Sequence, residues 1–150
     1  MILDYLVRGV MGAAKDLWNE YQAVYAKLDY NALASLYASD AVHVDPAGCH
    51  EGVEAIGAYI AEGDKPFSDI SLETTQVIEE GNMVVAEYVW RARNTGPLPM
   101  PDGTEIPATN KDVEVPGVSV LSVRDGKIIS HHDYLDNAST MSQLGLLPGT

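Results

Sequence analysis

Apolar positions in the first part of the chain recur every three or four residues, the spacing of one helix face. Over residues 13–28 this face carries Leu17, Tyr21, Val24, Tyr25 and Leu28. The same spacing predicts a short helix over 30–38 and a third helix over 51–62, which Gly63 would end. Alternating apolar residues predict a short strand over 41–45 between these two helices.

After Pro66 the apolar positions alternate with polar ones, which is typical of strands. The pattern predicts four long strands, over residues 69–78, 83–94, 111–124 and 127–135. Residues 95–110 hold four prolines and two glycines and are predicted to form a long hairpin loop. A short helix over 137–145 closes the chain.

The alternation also assigns side chains to faces of the predicted sheet. One face of the second long strand carries Val84, Ala86, Tyr88, Trp90 and Ala92. One face of the third carries Val113, Val115, Gly117, Ser119, Leu121 and Val123, and Pro116 marks a bulge or an edge there. On the last strand Asp133 shares a face with Ile129, His131 and Leu135. Helices followed by a strand meander predict an α+β fold, with three helices and a curved antiparallel sheet enclosing an apolar pocket.

Composition narrows the function classes. The 150 residues fit one domain, and 9 basic against 22 acidic residues give a net charge of -13. Such a surface disfavours nucleic acid and anionic membranes as partners. Cys49 is the only cysteine, so no intrachain disulfide forms and the cytoplasm is the expected location. Residues 1–12 are apolar but interrupted by Asp4 and Arg8, and we interpret them as a helical extension rather than a signal peptide.

Two segments carry a resemblance to a known superfamily. They are VHVDPAGCHEGVEAIGAYI, which begins at Val42, and RDGKIISHHDYLDN, which begins at Arg124 and is followed by QLGLLP. With the order of predicted elements, they resemble the nuclear transport factor two superfamily from about residue 13 onward. Within it the chain is most similar to ketosteroid isomerases and SnoaL-type polyketide cyclases. The resemblance implies a cone-shaped roll around a pocket, a fold that hosts both enzymes and non-catalytic binders.

The N-terminal half matches the isomerases. There a tyrosine on the first helix donates to the substrate carbonyl, and an aspartate in an Asp-Pro turn moves the proton. The resemblance implies these roles for Tyr21 and Asp45. Ser119 stands where those isomerases place a second donor, a protonated aspartate that an apolar site keeps neutral.

The last strand matches the cyclases instead. The triplet His131-His132-Asp133 resembles the cyclase triplet whose aspartate is the general acid/base, which implies that role for Asp133. Limonene-type epoxide hydrolases carry an Arg-x-Asp pair on the second long strand, where this chain has Tyr88-Val89-Trp90. Epoxide hydrolysis is therefore not expected.

The resemblance implies proton abstraction next to a carbonyl, in a cyclic or polyketide-like substrate. A desolvated carboxylate is the base, and a phenol or hydroxyl stabilises the enolate oxygen. No metal or organic cofactor is needed. Trp90, Tyr88 and Tyr59 are candidate walls for a small apolar or ring-containing ligand, with Ser119 and His131 beside it.

Other interpretations of the same residues remain open. Tyr21 also fits a core aromatic, and Asp45 also fits a cap of its own turn. His131 either orients Asp133 or lies exposed at the sheet end. The pairs His43-x-Asp45 and His131-x-Asp133 resemble chelating pairs, but each supplies too few ligands, so no metal site is predicted.

Two competing hypotheses involve no chemistry. One is a small-molecule binder, which predicts carboxylates with ordinary pKa values. The other is a dimerisation module, because the outer sheet face commonly pairs in this superfamily. A homodimer would place Glu87, Arg91 and Arg93 at or beside the interface.

Overall fold

The computed structural model describes residues 12–148, so the predicted extension over 1–12 lies almost entirely outside the described residues. The described elements, in chain order, are α1 (Ala13–Tyr25), α2 (Tyr30–Ala34), β1 (Tyr37–Asp45), β2 (Gly48–Glu51), α3 (Val53–Asp64), β3 (Phe67–Glu80), β4 (Met83–Asn94), β5 (Leu98–Pro99), β6 (Glu105–Ile106), β7 (Asp112–Arg124), β8 (Lys127–Leu135) and α4 (Asn137–Gln143). The predicted loop over 95–110 thus contains the short β5–β6 hairpin.

Six strands form one sheet in the order β2-β1-β8-β7-β4-β3. Neighbours are antiparallel except β1 and β8, which run parallel. The predicted α+β class with a curved, mostly antiparallel sheet is confirmed, and the four described helices correspond to the three predicted beside the pocket and the predicted closing helix. The sheet stays open, because β2 and β3 form two separate edges.

Register shifts interrupt the long strands at several points. They fall between Ser68 and Ser71 on β3, between Thr74 and Gln76 on the same strand, and between Ser122 and Val123 on β7. An extra residue in one strand bends it and increases its twist. These irregularities therefore help the sheet curl around the helices on one of its faces.

Helix α1 packs across β3, β4 and β7 and supplies much of the core. Trp18 on this helix is fully buried, and its Nε1 donates to Thr74 Oγ1 over 3.0 Å. The helix start has no side-chain cap of its own, but Glu79 Oε1 on β3 accepts from the backbone N–H groups of Gly12 and Ala14, each over 3.1 Å. A carboxylate near these N–H groups also suits the positive end of the helix dipole. Glu79 therefore ties α1 to the sheet.

Most predicted elements are present, and their ends differ for local reasons. The bounds of β4 and β8 match the prediction. Helix α1 ends at Tyr25 instead of residue 28, because the chain turns there and Leu28 adopts a φ of 53°. Helix α3 continues through Gly63 to Asp64, so glycine at 63 does not end it. The hairpin between β1 and β2 was not predicted.

Two details of the sheet faces also differ. Of the two isoleucines on β8, Ile128 is buried and Ile129 is not. Adjacent residues of β7 pair with Ser130 and Ile128, so Ile129 between them forms a bulge. Pro116 pairs with Val89 on β4 without a register shift, so it marks no bulge. Pairing between β7 and β8 extends only as far as Gly117, which pairs with Leu135. Pro116 has no partner on β8, so β7 is locally an edge of the sheet at this residue.

Across residues 12–148, none of the helices combines the length and the apolar character that crossing a bilayer requires.

Candidate active site

A cavity of about 240 Å³ lies where helices α1 and α3 face the sheet. Six aromatic side chains contribute to its walls: Tyr21, Tyr25, Tyr59, Phe67, Tyr88 and Trp90. Three carboxylates also line it: Asp45, Asp64 and Asp133. The predicted pocket with acidic and phenolic groups is therefore present.

Asp133 is held by side chains from three other strands. Its Oδ1 accepts a short hydrogen bond from Ser119 Oγ on β7 and a longer one, of 3.3 Å, from the Tyr88 hydroxyl on β4. Its Oδ2 lies 3.2 Å from Nε2 of His43 on β1. Ser119 lies opposite Asp133 in the β7–β8 register, which is why the two side chains meet on one face.

His131 lies beside Asp133 and Ser119 on the buried side of this group of residues. It is fully buried, with Nε2 at 3.1 Å from Ser119 Oγ and 3.2 Å from Asp133 Oδ1. Its Nδ1 lies 2.7 Å from the hydroxyl of Tyr37, which in turn interacts with the hydroxyl of Tyr21. Because Asp133 can only accept hydrogen bonds when ionised, Nε2 of His131 carries a proton in either charge state. Of its two interpretations, the structure therefore supports the one in which it orients Asp133.

Two opposing effects set the ionisation of Asp133. Burial acts to raise its pKa, because a charge is costly away from water. The charge on His131 and hydrogen bonds from His131, His43 and Ser119 outweigh burial and hold the pKa of Asp133 well below its ordinary range. The carboxylate is therefore ionised at any pH at which the protein would work.

Asp45 lies at the end of β1 and combines two roles that the sequence left open. Its Oδ1 accepts from the backbone N–H groups of Ala47 and Gly48 over 2.8 and 3.0 Å, which caps the turn. Its Oδ2 accepts a short hydrogen bond from the hydroxyl of Tyr59, and both residues line the cavity. Asp133 contributes to raising the pKa of Tyr59, so the two carboxylates act on the same space.

A third carboxylate, Asp64, was not predicted as a site residue. It is the last residue of α3, and its two oxygens accept hydrogen bonds of 3.0 Å from the hydroxyls of Tyr25 and Tyr30. Trp90 Nε1 donates to the Tyr25 hydroxyl over 2.9 Å. Burial raises the pKa of Asp64 to about 6, although the two phenols act to lower it.

The predicted site residues all meet around this cavity. Tyr21, Tyr59, Tyr88, Trp90, Asp45 and Asp133 line it directly, and Ser119 and His131 lie behind Asp133. Burial raises the pKa of Tyr21 well above 10, and its ring stacks on Trp18 at 5.4 Å. Tyr21 is thus part of the core as well as of the wall.

Tyr88 depends on a glycine for its position. Gly117 lies opposite it in the β4–β7 register, and a Cβ built there would approach the Tyr88 ring to 2.5 Å. Only glycine therefore lets the ring lie across β7 with its hydroxyl near Asp133. Burial, followed by the charge of Asp133, raises the pKa of Tyr88 far above 10, so the phenol stays a donor.

His43, His131 and Asp133 also form the one group of possible metal ligands among the described residues, with donor atoms within 4.8 Å of one another. Two imidazoles and a carboxylate suit several divalent cations. The same atoms are also close enough for hydrogen bonds, since Nε2 of His43 and Nε2 of His131 each lie 3.2 Å from an Asp133 oxygen.

Sequence reasoning missed His43, Tyr37 and Asp64. His43 was noted only as half of a chelating pair, yet its alternation with Ala41 and Asp45 on β1 was a usable signal. Its Nδ1 and the Nε2 of His50, its partner across β1 and β2, have no hydrogen-bond partner among the described residues. Asp64 gave no such signal, because it was expected to follow the helix rather than end it.

Comparison with known proteins agrees with the fold. The SnoaL-like domain family matches residues 18–131. A search of curated proteins found no match.

Several solved structures are similar to this chain. One is a protein of ketosteroid isomerase-like fold from Catenulispora acidiphila, in complex with trimethylamine, at 26% identity and a TM-score of 0.73 over 87% of this chain and 93% of that one. Another is TsrD from Streptomyces laurentii, at 26% identity and a TM-score of 0.76 over 91% and 98%. A candidate SnoaL-like polyketide cyclase from Jannaschia shares the fold at 17% identity, with a TM-score of 0.80 over 93% and 96%. By its family match, with which its sheet topology and its cavity agree, this chain belongs to the SnoaL-like domain family.

Proposed function

We propose that this protein is a cofactor-independent cyclase or isomerase that transfers a proton next to a carbonyl of a ring-containing substrate. The observation that carries the proposal is the environment of Asp133, an ionised carboxylate on a cavity wall with a phenol beside it and two histidines behind it. Asp133 acts as the general acid/base. A small ligand fits the cavity, and the similar protein from Catenulispora acidiphila was obtained with the small molecule trimethylamine.

The low pKa of Asp133 would make it a weak base if its hydrogen bonds stayed as they are. Its longest contact is the 3.3 Å hydrogen bond from Tyr88. A substrate carbonyl oxygen near this hydroxyl would compete for its proton. The Tyr88 hydroxyl would then donate to the substrate oxygen, on which negative charge grows, instead of to Asp133. Loss of this hydrogen bond makes Asp133 a stronger base, and the new hydrogen bond stabilises the enolate.

Every proton that Asp133 removes returns to the substrate, so the proposed reaction needs no cofactor. Asp133 takes a proton from the carbon next to the carbonyl, and the electron pair of that C–H bond becomes the enolate. In an isomerisation the same proton returns to another carbon of the substrate. In a cyclisation the enolate carbon attacks a second carbonyl of the same molecule, and Asp133 gives its proton to the resulting alkoxide. Asp45 with Tyr59 offers a second carboxylate and phenol for the other end of such a transfer.

In this proposal Tyr21 does not donate to the substrate oxygen. Its hydroxyl interacts with Tyr37, and Tyr37 contacts Nδ1 of His131. We therefore assign Tyr21 as a positioning residue that acts through His131, while Tyr88 takes the part of the donor to the substrate oxygen. Ser119 keeps Asp133 in place.

Deuterium exchange tests the proposal without knowledge of the natural substrate. The protein would be incubated in D₂O with a panel of cyclic and polycyclic ketones, and deuterium at carbons next to the carbonyl would be followed by NMR. We expect incorporation with the wild type and none above background with Asp133→Asn. Asp125→Asn, in the exposed β7–β8 turn, is the matched control. Equal incorporation by all three proteins would overturn the assignment of Asp133.

A non-catalytic binder of the same fold is the second candidate. It is favoured by the dense hydrogen bonding of Asp133, which suits a fixed anion better than a mobile base, but the ordinary carboxylate pKa values that it predicts are contradicted at Asp133 and Asp64. This candidate predicts saturable ligand binding with no deuterium exchange.

We also propose that the protein forms a homodimer through the outer face of the sheet. Arg91 on this face pairs with Glu73 and Glu114, and Arg93 pairs with Asp112, all partly exposed. Light scattering after size exclusion would give twice the mass of one chain. A monomer at all concentrations would rule the dimer out.

A further inference from the structure

Carboxylates dominate the charged groups on the cavity wall, where His43 is the one imidazole. Three carboxylates line it, and none of the described residues on its walls is a lysine or an arginine. The net charge of -13 adds to the same field. A cavity of this kind repels carboxylate and phosphate groups on a ligand and attracts cations.

Of the three carboxylates, Asp64 is the one whose hydrogen-bond donors are phenols alone. Asp133 has two histidines, and Asp45 has two backbone N–H groups in its turn. Asp64 has only phenols as donors, and its neighbour Lys65 lies within ion-pair distance of Glu62 instead. It also ends helix α3, where the helix dipole disfavours a negative charge.

Each oxygen of Asp64 accepts one hydrogen bond from a tyrosine. A carboxylate oxygen can accept two, so each retains a free acceptor position. Tyr25 and Tyr30 fix the carboxylate from helix α1 and helix α2, and Asp64 itself lines the cavity. The group is thus oriented in advance for a donor that comes from the ligand.

The aromatic side chains beside Asp64 suit a cation as well. Trp90 and Phe67 meet edge to face with ring centroids 5.1 Å apart, and both line the cavity with Tyr25. The indole N–H of Trp90 is already donated to Tyr25, so what Trp90 presents to a ligand is its ring. A cation over the face of an indole ring is attracted by the ring quadrupole.

We propose that the cavity binds a substrate that carries a protonated amine, and that Asp64 with Trp90 and Phe67 receives the ammonium group. An ammonium supplies both the donors and the positive charge that Asp64 lacks, whereas a neutral hydroxyl supplies donors alone. The proposal rests on the proposed function in that Asp133 then acts on the carbonyl of the same substrate. It gives that substrate class a second feature, a basic nitrogen.

The pH dependence follows from the same group. Burial raises the pKa of Asp64 to about 6, and the phenols that contact it titrate far above that range because burial raises their pKa values too. The two other carboxylates of the cavity, Asp45 and Asp133, also face the ligand. Asp133 stays ionised well below pH 6, and His43 is the other titratable side chain beside it on the wall, so a loss of binding near pH 6 reports on Asp64 where Asp64→Asn does not show it.

Calorimetric titration with two small probes tests the proposal. Benzylammonium and benzyl alcohol have nearly the same shape and differ in charge. At pH 7.5 we expect the wild type to bind benzylammonium about tenfold more tightly than benzyl alcohol, equivalent to about 1.4 kcal/mol. The preference should disappear at pH 5 and in Asp64→Asn. It should persist in Glu62→Gln, which removes the same charge from an exposed position on the same helix.

Equal affinity for the two probes in the wild type would overturn the proposal, as would a preference that survives in Asp64→Asn. A preference lost in Asp133→Asn but kept in Asp64→Asn would place the cation at the other carboxylate and would also overturn it. The pH series uses the wild type alone, so a variant that fails to fold leaves the test intact. Neither probe reacts, so this result is independent of the deuterium-exchange test of the proposed function.

Discussion

The cavity holds two carboxylates, Asp133 with its partners (one end) and Asp64 with its tyrosines (the other end), which burial affects in the same direction but whose pKa values shift in opposite directions. At one end, Asp133 is surrounded by two histidines, a serine and a tyrosine, and its pKa is held below the ordinary range. At the other end, Asp64 has two phenols and no positive group, and its pKa rises to about 6. The difference shows that neutral donors offset only part of the cost of burial, whereas donors that carry charge reverse it.

The comparison has a consequence for stability. Asp64 is harder to ionise in the folded chain than in the unfolded chain, so its ionisation costs stability at neutral pH. Asp133 is easier to ionise in the folded chain, so it contributes stability that is lost only as the pH falls below the ordinary carboxylate range. One end of the cavity thus stabilises the fold, and the other end reduces its stability.

The largest expected effect is on turnover at the Asp133 end. Asp133→Asn keeps the shape of the side chain and an acceptor for His43 but cannot take up a proton. We expect the rate of proton transfer to fall by about 10²- to 10⁴-fold, the usual contribution of a general base. The measurement is the initial rate of deuterium incorporation, with Asp125→Asn as control. A loss of less than about threefold would assign the base to another group.

A second effect concerns the packing of the Tyr88 ring against Gly117. Gly117→Ala places a Cβ where the ring lies, so the ring must move and its hydroxyl must leave Asp133. We expect a loss of about 1–3 kcal/mol in the free energy of unfolding, as is usual for overpacking. The rate should fall at least as far as in Tyr88→Phe, which removes only the hydroxyl. Unfolding in urea and the exchange rate check the two parts, and unchanged stability would mean that the ring has room elsewhere.

A third effect is a gain in the free energy of unfolding, expected when Asp64 is replaced. Asp64→Asn removes a costly charge and still offers groups to Tyr25 and Tyr30. We expect the variant to be more stable than the wild type by about 3 kcal/mol at pH 7, since a shift of about two pKa units corresponds to about that much. The gain should be absent below about pH 4, grow between about pH 4 and pH 6, and stay constant above.

Urea unfolding of both proteins across that pH range measures this difference. Glu62→Gln, on the same helix but exposed, should show no such pH dependence. Destabilisation of Asp64→Asn at pH 7 would contradict the role of burial at this end.

The smallest effect is expected from a single phenol. Tyr30→Phe removes one of the two donors to Asp64 and leaves the ring in place. The pKa of Asp64 should rise further, by less than about one unit, because one neutral hydrogen bond contributes about 1 kcal/mol. A carboxyl-carbon NMR titration of the variant would detect the change. A fall in the pKa would mean that Tyr30 does not donate to this carboxylate.

The sequence predicted the Asp133 end of the cavity better than the Asp64 end. Asp133, Ser119 and His131 lie on adjacent strands whose alternation assigns each side chain to a face, and the bounds of β8 are correct. Asp64 depends on tyrosines 39 and 34 residues away, on two other helices, which only the packed fold brings together. The parallel pairing of β1 with β8, which brings His43 to Asp133, is equally invisible in local patterns. Local periodicity therefore predicts faces, whereas contacts across elements need the fold.

A carboxyl-carbon NMR titration of the wild-type protein, with Asp64 and Asp133 assigned, tests the central contrast most directly. The account predicts a midpoint near pH 6 for Asp64 and no titration of Asp133 down to about pH 3, below the ordinary range of aspartate. Two midpoints near the ordinary value of about 4 would contradict it, because neither burial nor the histidines would then govern the cavity.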